Sequence, residues 1–109
     1  MQNYQSGSVI LLKLPFSDAV TFKLRPVLVI LDTGDDDVIV ARITSQISQT
    51  IFDIEIIEWQ LAGLMRPSVV RLHKINTVEK RLLERQLGIF QPQDWETVRQ
   101  RIQQIWSSI

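Results

Sequence analysis

An arginine at the head of one apolar run and a threonine at the tail of the next are the residues of this chain best suited to chemistry. Lys23-Leu24-Arg25-Pro26 leads into the run Val27 to Leu31, and Arg42-Ile43-Thr44-Ser45 ends the run that begins at Val38. If the two runs pair as strands, a guanidinium fork and a hydroxyl donor can reach one small anion. A phosphodiester is the obvious candidate, because arginine presents parallel N–H donors to phosphate oxygens. Pro26 confines Arg25 to extended backbone angles and so gives it a stiff base. Alternation from Val38 puts Val40, Arg42 and Thr44 on one face, so Arg42 can add charge beside Thr44. Readings without a ligand stand beside these: Arg25 paired with Asp18, Arg42 paired with Asp53 or Glu55, and Ser45 engaged in turn chemistry.

The elements that must position these groups are short and mostly extended. Ser8 to Leu14 is dense in β-branched and aliphatic residues and reads as a buried strand ending at Pro15. A polar loop from Pro15 to Leu24 follows, and Pro26 opens a second strand, where its missing amide hydrogen is tolerable. Asp32 to Asp37 is a turn around Gly34, and Val38 to Thr44 is the return strand of a hairpin. The acids Asp35 to Asp37 lack calcium-loop spacing, and no metal site is expected there. Ile51 to Ile57 alternates as a half-buried strand, Trp59 to Gly63 suits a short helical turn, and Ser68 to His73 is another strand. Glu79 to Leu87 has helical spacing at Leu82, Leu83 and Leu87, with Gly88 at the position of a helix C-cap. The last segment is the clearest helix: Pro92 suits its first turn, and Trp95, Val98, Ile102, Ile105 and Ile109 recur at helical spacing. Five strands and a terminal helix predict a mainly β fold, a small bent antiparallel sheet or barrel with a helix packed on it.

At 109 residues the chain fits one domain spanning 1–109, and 45% hydrophobic with 22% charged residues is ordinary globular composition, so fixed structure is expected except at Met1 to Ser6. No apolar run approaches bilayer length and the N-terminus lacks a signal-peptide pattern, so a cytoplasmic protein with no membrane partner is expected. The absence of cysteine excludes disulfides and thiolate metal sites. A net charge of zero argues against coating nucleic acid by bulk electrostatics. Its distribution is uneven: residues 1–63 carry four basic and eight acidic groups, and residues 64–109 carry eight basic and four acidic, so a local basic surface is open to the second half.

Read in order, Gly7-Ser8-Val9-Ile10-Leu11-Leu12, Leu14-Pro15-Phe16-Ser17-Asp18, Arg25-Pro26-Val27-Leu28-Val29-Ile30 and Ile43-Thr44-Ser45 resemble the MazF/PemK/Kid toxins of type II toxin–antitoxin systems. Gly63-Leu64, then Ser68 to Ile75, then Thr77 to Leu82 with Gly88 continue the resemblance over nearly the whole chain. It implies an SH3-like barrel of the CcdB/MazF type, a homodimer, a cognate antitoxin, and cleavage of single-stranded RNA, in cells mRNA, without metal or other cofactor. Arg25 and Thr44 match the family's catalytic arginine and phosphate-binding threonine. Some members carry Arg-X-Asp where this chain has Arg71-Leu72-His73, which replaces a carboxylate by an imidazole that can accept or donate a proton near neutrality. Two apart on a strand, Arg71 and His73 are expected to share a face, with His73 joining the catalytic group and Arg71 binding RNA.

Around this centre Phe16, Ser17, Asp18, Arg42 and Ser45 are expected to contact RNA, with Phe16 and Phe22 able to stack on bases. The loop from Asp18 to Leu24 is shorter and poorer in glycine than in many members, so substrate sequence does not transfer. Cleavage without metal requires proton removal from the 2′-hydroxyl, charge stabilisation on the phosphoryl oxygens and protonation of the leaving 5′-oxygen. Arg25 and Thr44 serve the second need, and neither is a general base. A different class of function stays open: CcdB-like gyrase-binding toxins share this fold and end in an aromatic and an aliphatic residue, as Trp106 and Ile109 do here. A barrel that has lost catalysis is the third.

Overall fold

The computed structural model describes residues 3–18, 20–46 and 50–109. Six strands run in the order β1 (Ser8–Pro15), β2 (Phe22–Asp32), β3 (Asp37–Thr44), β4 (Asp53–Glu55), β5 (Val69–Glu79) and β6 (Leu83–Ile89), followed by helix α1 (Pro92–Ser107). They form one sheet ordered β4-β5-β3-β2-β1-β6 in which every pairing is antiparallel. Among the described residues no helix is long and apolar enough to cross a membrane.

Both faces of the central strands are covered, because alternate residues feed two separate cores. Val9, Leu28, Ala41, Ile43, Val70 and Leu72 pack beneath α1 through Val98, with Trp95, Ile102 and Ile105 at the margin. Ile10, Leu12, Val27, Val29, Val38 and Val40 form the opposite cluster with Leu83. Each buried Val, Leu or Ile side chain among them contributes about 1.5–3 kcal/mol by leaving water, and slipping β3 by one residue would exchange its two faces. Pro92 at the first turn and buried Asp94 set the start of α1. The Asp94 carboxylate accepts the amides of Ile57 and Glu58 at 3.2 and 2.9 Å, tying the helix to the segment after β4. Ile109 lies beyond the helix and is 95% exposed, so it is no part of the packing stripe expected for it.

The helix expected over Glu79 to Leu87 is instead the end of β5, a 3-10 turn at Lys80–Leu82, and β6. Pairing along β1 overrides the helical spacing, since Leu83 fills the second core and Leu87 the first. Gly88 therefore caps no helix. A Cβ there would lie 2.5 Å from the Ala62 carbonyl oxygen, and one on Gly63, at φ +87°, would collide with the Leu87 carbonyl. The turn at 59–64, held by Ala62 N–H to Glu58 O and Leu64 N–H to Trp59 O, thus lies backbone to backbone on β6. That contact brings the β4 side of the sheet round to β6 and curls it.

The other predicted elements stand with adjusted ends. The loop expected from Pro15 to Leu24 contracts to 16–21, because β1 and β2 stay in register out to Pro15 opposite Phe22. Pro26 accordingly sits inside β2, but β3 pairs with β2 only from Val27 opposite Arg42, so the missing amide costs no bond on that side. The strand expected over Ile51 to Ile57 is regular only at Asp53–Glu55. Of Met1 to Ser6, the first two residues lie outside the described ones, while the Tyr4 amide donates to Asp32 Oδ2 at 2.7 Å. Asp32 also accepts from Gly34 N–H and pairs with Lys80 at 2.8 Å, and Asp35 takes Thr33 and Asp37 as donors. The acidic run is turn chemistry.

Candidate nucleic-acid groove

β2 and β3 are paired through Val27 opposite Arg42 and then part, β2 continuing back to Phe22 and β3 on to Thr44. Extending the register by two residues sets Thr44 across from Arg25 on the same face. Because the ladder stops short of them, the strands leave a gap rather than a closed pair. A groove of about 780 Å³ opens there, bordered by Lys23, Arg25, Arg42, Thr44, Ser45 and Gln46, with Arg66 and Arg85 among its other lining residues. Leu11, Leu64 and Leu87 supply apolar lining.

Among the described residues no carboxylate or imidazole lines this groove. Elsewhere Lys13, Arg71, Lys80, Arg81 and Arg99 each lie within 4.0 Å of a carboxylate. Among the described residues Lys23, Arg25, Arg42, Arg66 and Arg85 have no such partner. Asp18 does not neutralise Arg25, nor do Asp53 and Glu55 neutralise Arg42; the Arg25 guanidinium donates to the Leu24 carbonyl at 3.1 Å. A chain of zero net charge thus carries one concave surface of a single sign.

Thr44 is oriented by its neighbours. Its Oγ1 accepts the Gln46 amide at 3.1 Å, which leaves the hydroxyl hydrogen to be donated. The Gln46 carbonyl in turn accepts Arg71 Nη2 at 3.1 Å, and Arg71 Nε lies 4.0 Å from buried Asp53 Oδ1. Arg71 therefore braces the exit of β3 through Gln46 and is not among the groove-lining residues.

Other residues expected at the site lie outside the groove lining. His73 does not join Arg25 and Thr44. The register of β5 on β3 jumps from Ile75 opposite Ala41 to Arg71 opposite Arg42, so residues 72–74 form a bulge. His73 is exposed there, its ring 5.4 Å from that of Phe52. Phe16, Ser17 and Asp18 belong to the hairpin loop outside the groove lining. The amides of Thr21 and Val20, with the Thr21 hydroxyl, hold the Asp18 carboxyl below its ordinary value and make it the anchor of that loop. Phe16 borders the groove only through Lys23, whose Nζ stands 5.7 Å from its ring, while Phe22 receives Lys13 at 4.1 Å.

Lys23, Arg66 and Arg85 are the groove cations that sequence reading did not single out. Lys23 could have been found, two residues from Arg25 on one strand face. Arg66 and Arg85 showed only as part of the basic second half, since nothing local brings a loop and a late strand beside β2.

A family model described as "PemK-like, MazF-like toxin of type II toxin-antitoxin system" matches residues 5–106. No curated protein matches the chain by sequence. Solved structures do match in fold. A MazE-MazF structure from Deinococcus radiodurans superimposes with TM-score 0.80 at 17% identity, covering 98% of each chain. The Mycobacterium tuberculosis toxin MazF-mt6 gives 0.71 at 22% identity, covering 90% of this chain and 96% of its own. An endoribonuclease in complex with its cognate antitoxin, from a mycobacterial species, gives 0.72 at 15% identity, covering 95% of both.

Proposed function

We propose that this chain, which belongs to the PemK-like, MazF-like toxin family of type II toxin–antitoxin systems, is a sequence-specific endoribonuclease that cuts single-stranded RNA without a metal. The observation that carries this reading is that Arg25 and Thr44 line one groove whose cations have no carboxylate partners among the described residues. A scissile phosphate between them receives the Arg25 fork on its non-bridging oxygens and a hydrogen bond from Thr44, both strengthening as charge grows on those oxygens. The 2′-oxygen attacks phosphorus and the bond to the 5′-oxygen breaks, leaving a 2′,3′-cyclic phosphate and a 5′-hydroxyl. With no carboxylate or imidazole in the lining, the 2′-hydroxyl proton passes to solvent hydroxide and the leaving oxygen takes one from water. In the cell the substrate is cytoplasmic mRNA, the working form is a homodimer, and a cognate antitoxin covers the groove.

Purified protein incubated with RNA in EDTA is expected to yield fragments with 5′-hydroxyl ends, and Arg25→Ala to lower the rate about 10²- to 10³-fold with the fold intact. RNA left whole across varied sequences would sink the nuclease reading. A second reading rests on Trp106 and Ile109, 77% and 95% exposed beside and beyond the end of α1, as a protein-binding surface for gyrase. It needs neither Arg25 nor Thr44, so gyrase inhibition that survives Arg25→Ala would select it.

A further inference from the structure

The groove's cations do not all stand on one side of β2. Leu11 of β1 pairs with Pro26 on one flank and with Arg85 on the other, so Pro26, Leu11 and Arg85 lie in a row across β2, β1 and β6. Directly opposed residues share a face, which puts Arg85 on the Leu11 side, whereas Arg25 pairs with Leu12 and belongs to the opposite side. A bulge causes this: Leu83 is opposite Leu12 and Arg85 opposite Leu11, leaving Glu84 as the extra residue. Without it Arg85 would follow Leu83 toward the second core. Glu84 itself turns to Lys13 at 3.2 Å and leaves Arg85 uncompensated.

Arg66 enters from the segment after the 59–64 turn, which the Gly63 contact holds against Leu87. Two strand spacings, about 10 Å, separate the Pro26 and Arg85 backbones. With Arg85 two strands from Pro26 and on the other face from Arg25, there is room for one phosphate between Arg25 and Thr44 and a flanking one at Arg66 and Arg85. Leu11, which lies between Pro26 and Arg85, lines the same groove with Leu64, Leu87 and Met65, the last 93% exposed, and this apolar lining is one on which a base can rest.

We infer that Arg66 and Arg85 form a second phosphate subsite, so that an RNA strand crosses the end of β2 with its scissile phosphate at Arg25 and Thr44 and a flanking phosphate at Arg66 and Arg85. This rests on the RNA-cutting reading above. The subsite supplies binding shared by ground and transition states, and its loss raises KM with little change in kcat.

The test uses a 2′-O-methyl oligoribonucleotide, which binds but has no free nucleophile, alongside its cleavable counterpart. Arg66→Ala and Arg85→Ala are each expected to weaken binding about tenfold and to lower the salt slope of log K by about 0.7. They are expected to raise KM on the cleavable strand, while a dinucleotide holding only the scissile phosphate is cut at the wild-type rate. Arg85→Glu is expected to weaken binding further, and Arg85→Lys to restore most of it. Variants that bind and cut the longer strand like wild type would overturn the subsite and leave the nuclease reading standing. Wild type that binds without cutting, with binding still lost in the variants, would instead fail the nuclease reading alone. No binding by wild type would overturn both.

Discussion

Thr44 works through one hydrogen, and its surroundings decide where that hydrogen goes. With Oγ1 already accepting the Gln46 amide, the hydroxyl hydrogen is left for the proposed phosphate contact, and Arg71 holds Gln46 by its carbonyl. Thr44→Val keeps the shape and removes the donor, so cleavage is expected to fall about 10²-fold while the melting temperature stays near wild type; a rate within twofold of wild type would contradict the role given to the hydroxyl. His73 lies at Phe52 and not in the groove, so His73→Gln is expected to leave the cleavage rate within about twofold. Rate measured against pH should show no bell, because no carboxylate or imidazole among the described residues lines the groove. That Arg25 and Thr44 border one groove was legible from residue types and strand alternation. The displacement of His73 was not, because a bulge in β5 breaks the two-residue rule that linked it to Arg71.

At the scale of elements, two devices hold the curled sheet in shape. One is the contact between the 59–64 turn and β6, where Gly88→Ala would force a Cβ to 2.5 Å from the Ala62 carbonyl oxygen. Both partners there are backbone, so relief requires the turn to shift; unfolding in denaturant is expected to show a loss of about 1–3 kcal/mol, with weakened RNA binding because Leu64 and Arg66 follow that turn. The other is Asp32, whose carboxyl is held down at about 2 by Lys80 first, then by the Tyr4 and Gly34 amides. A folded-state value below the unfolded one of about 4 adds stability that is full above that range and is lost as pH falls toward 2. Melting temperatures from pH 5 to pH 2 should therefore drop less steeply for Asp32→Asn than for wild type. The Glu79 to Leu87 segment shows why elements are harder to read than residues: its leucines have helical spacing, and only the partner strand β1 makes them extended.

For the whole molecule, zero net charge and a cationic groove together predict binding that is local and limited in its salt dependence. Neutralising a phosphate with each of Lys23, Arg25, Arg42, Arg66 and Arg85 gives a slope of log K against log salt no steeper than about −3.5 for a single strand. A steeper slope in titrations at several salt concentrations would mean that the rest of the surface takes part. The sequence by itself determined the mainly β character, the hairpin of β2 and β3, the terminal helix and the nearness of Arg25 and Thr44 to one groove, because each depends on alternation, turn residues or helical spacing within a few positions. Only the tertiary structure decided that Arg66 and Arg85 reach the same groove and that His73 does not. Those outcomes depend on bulges in β5 and β6 and on the close backbone approach at Gly63 and Gly88, which arise when distant strands meet and leave no local periodicity to read.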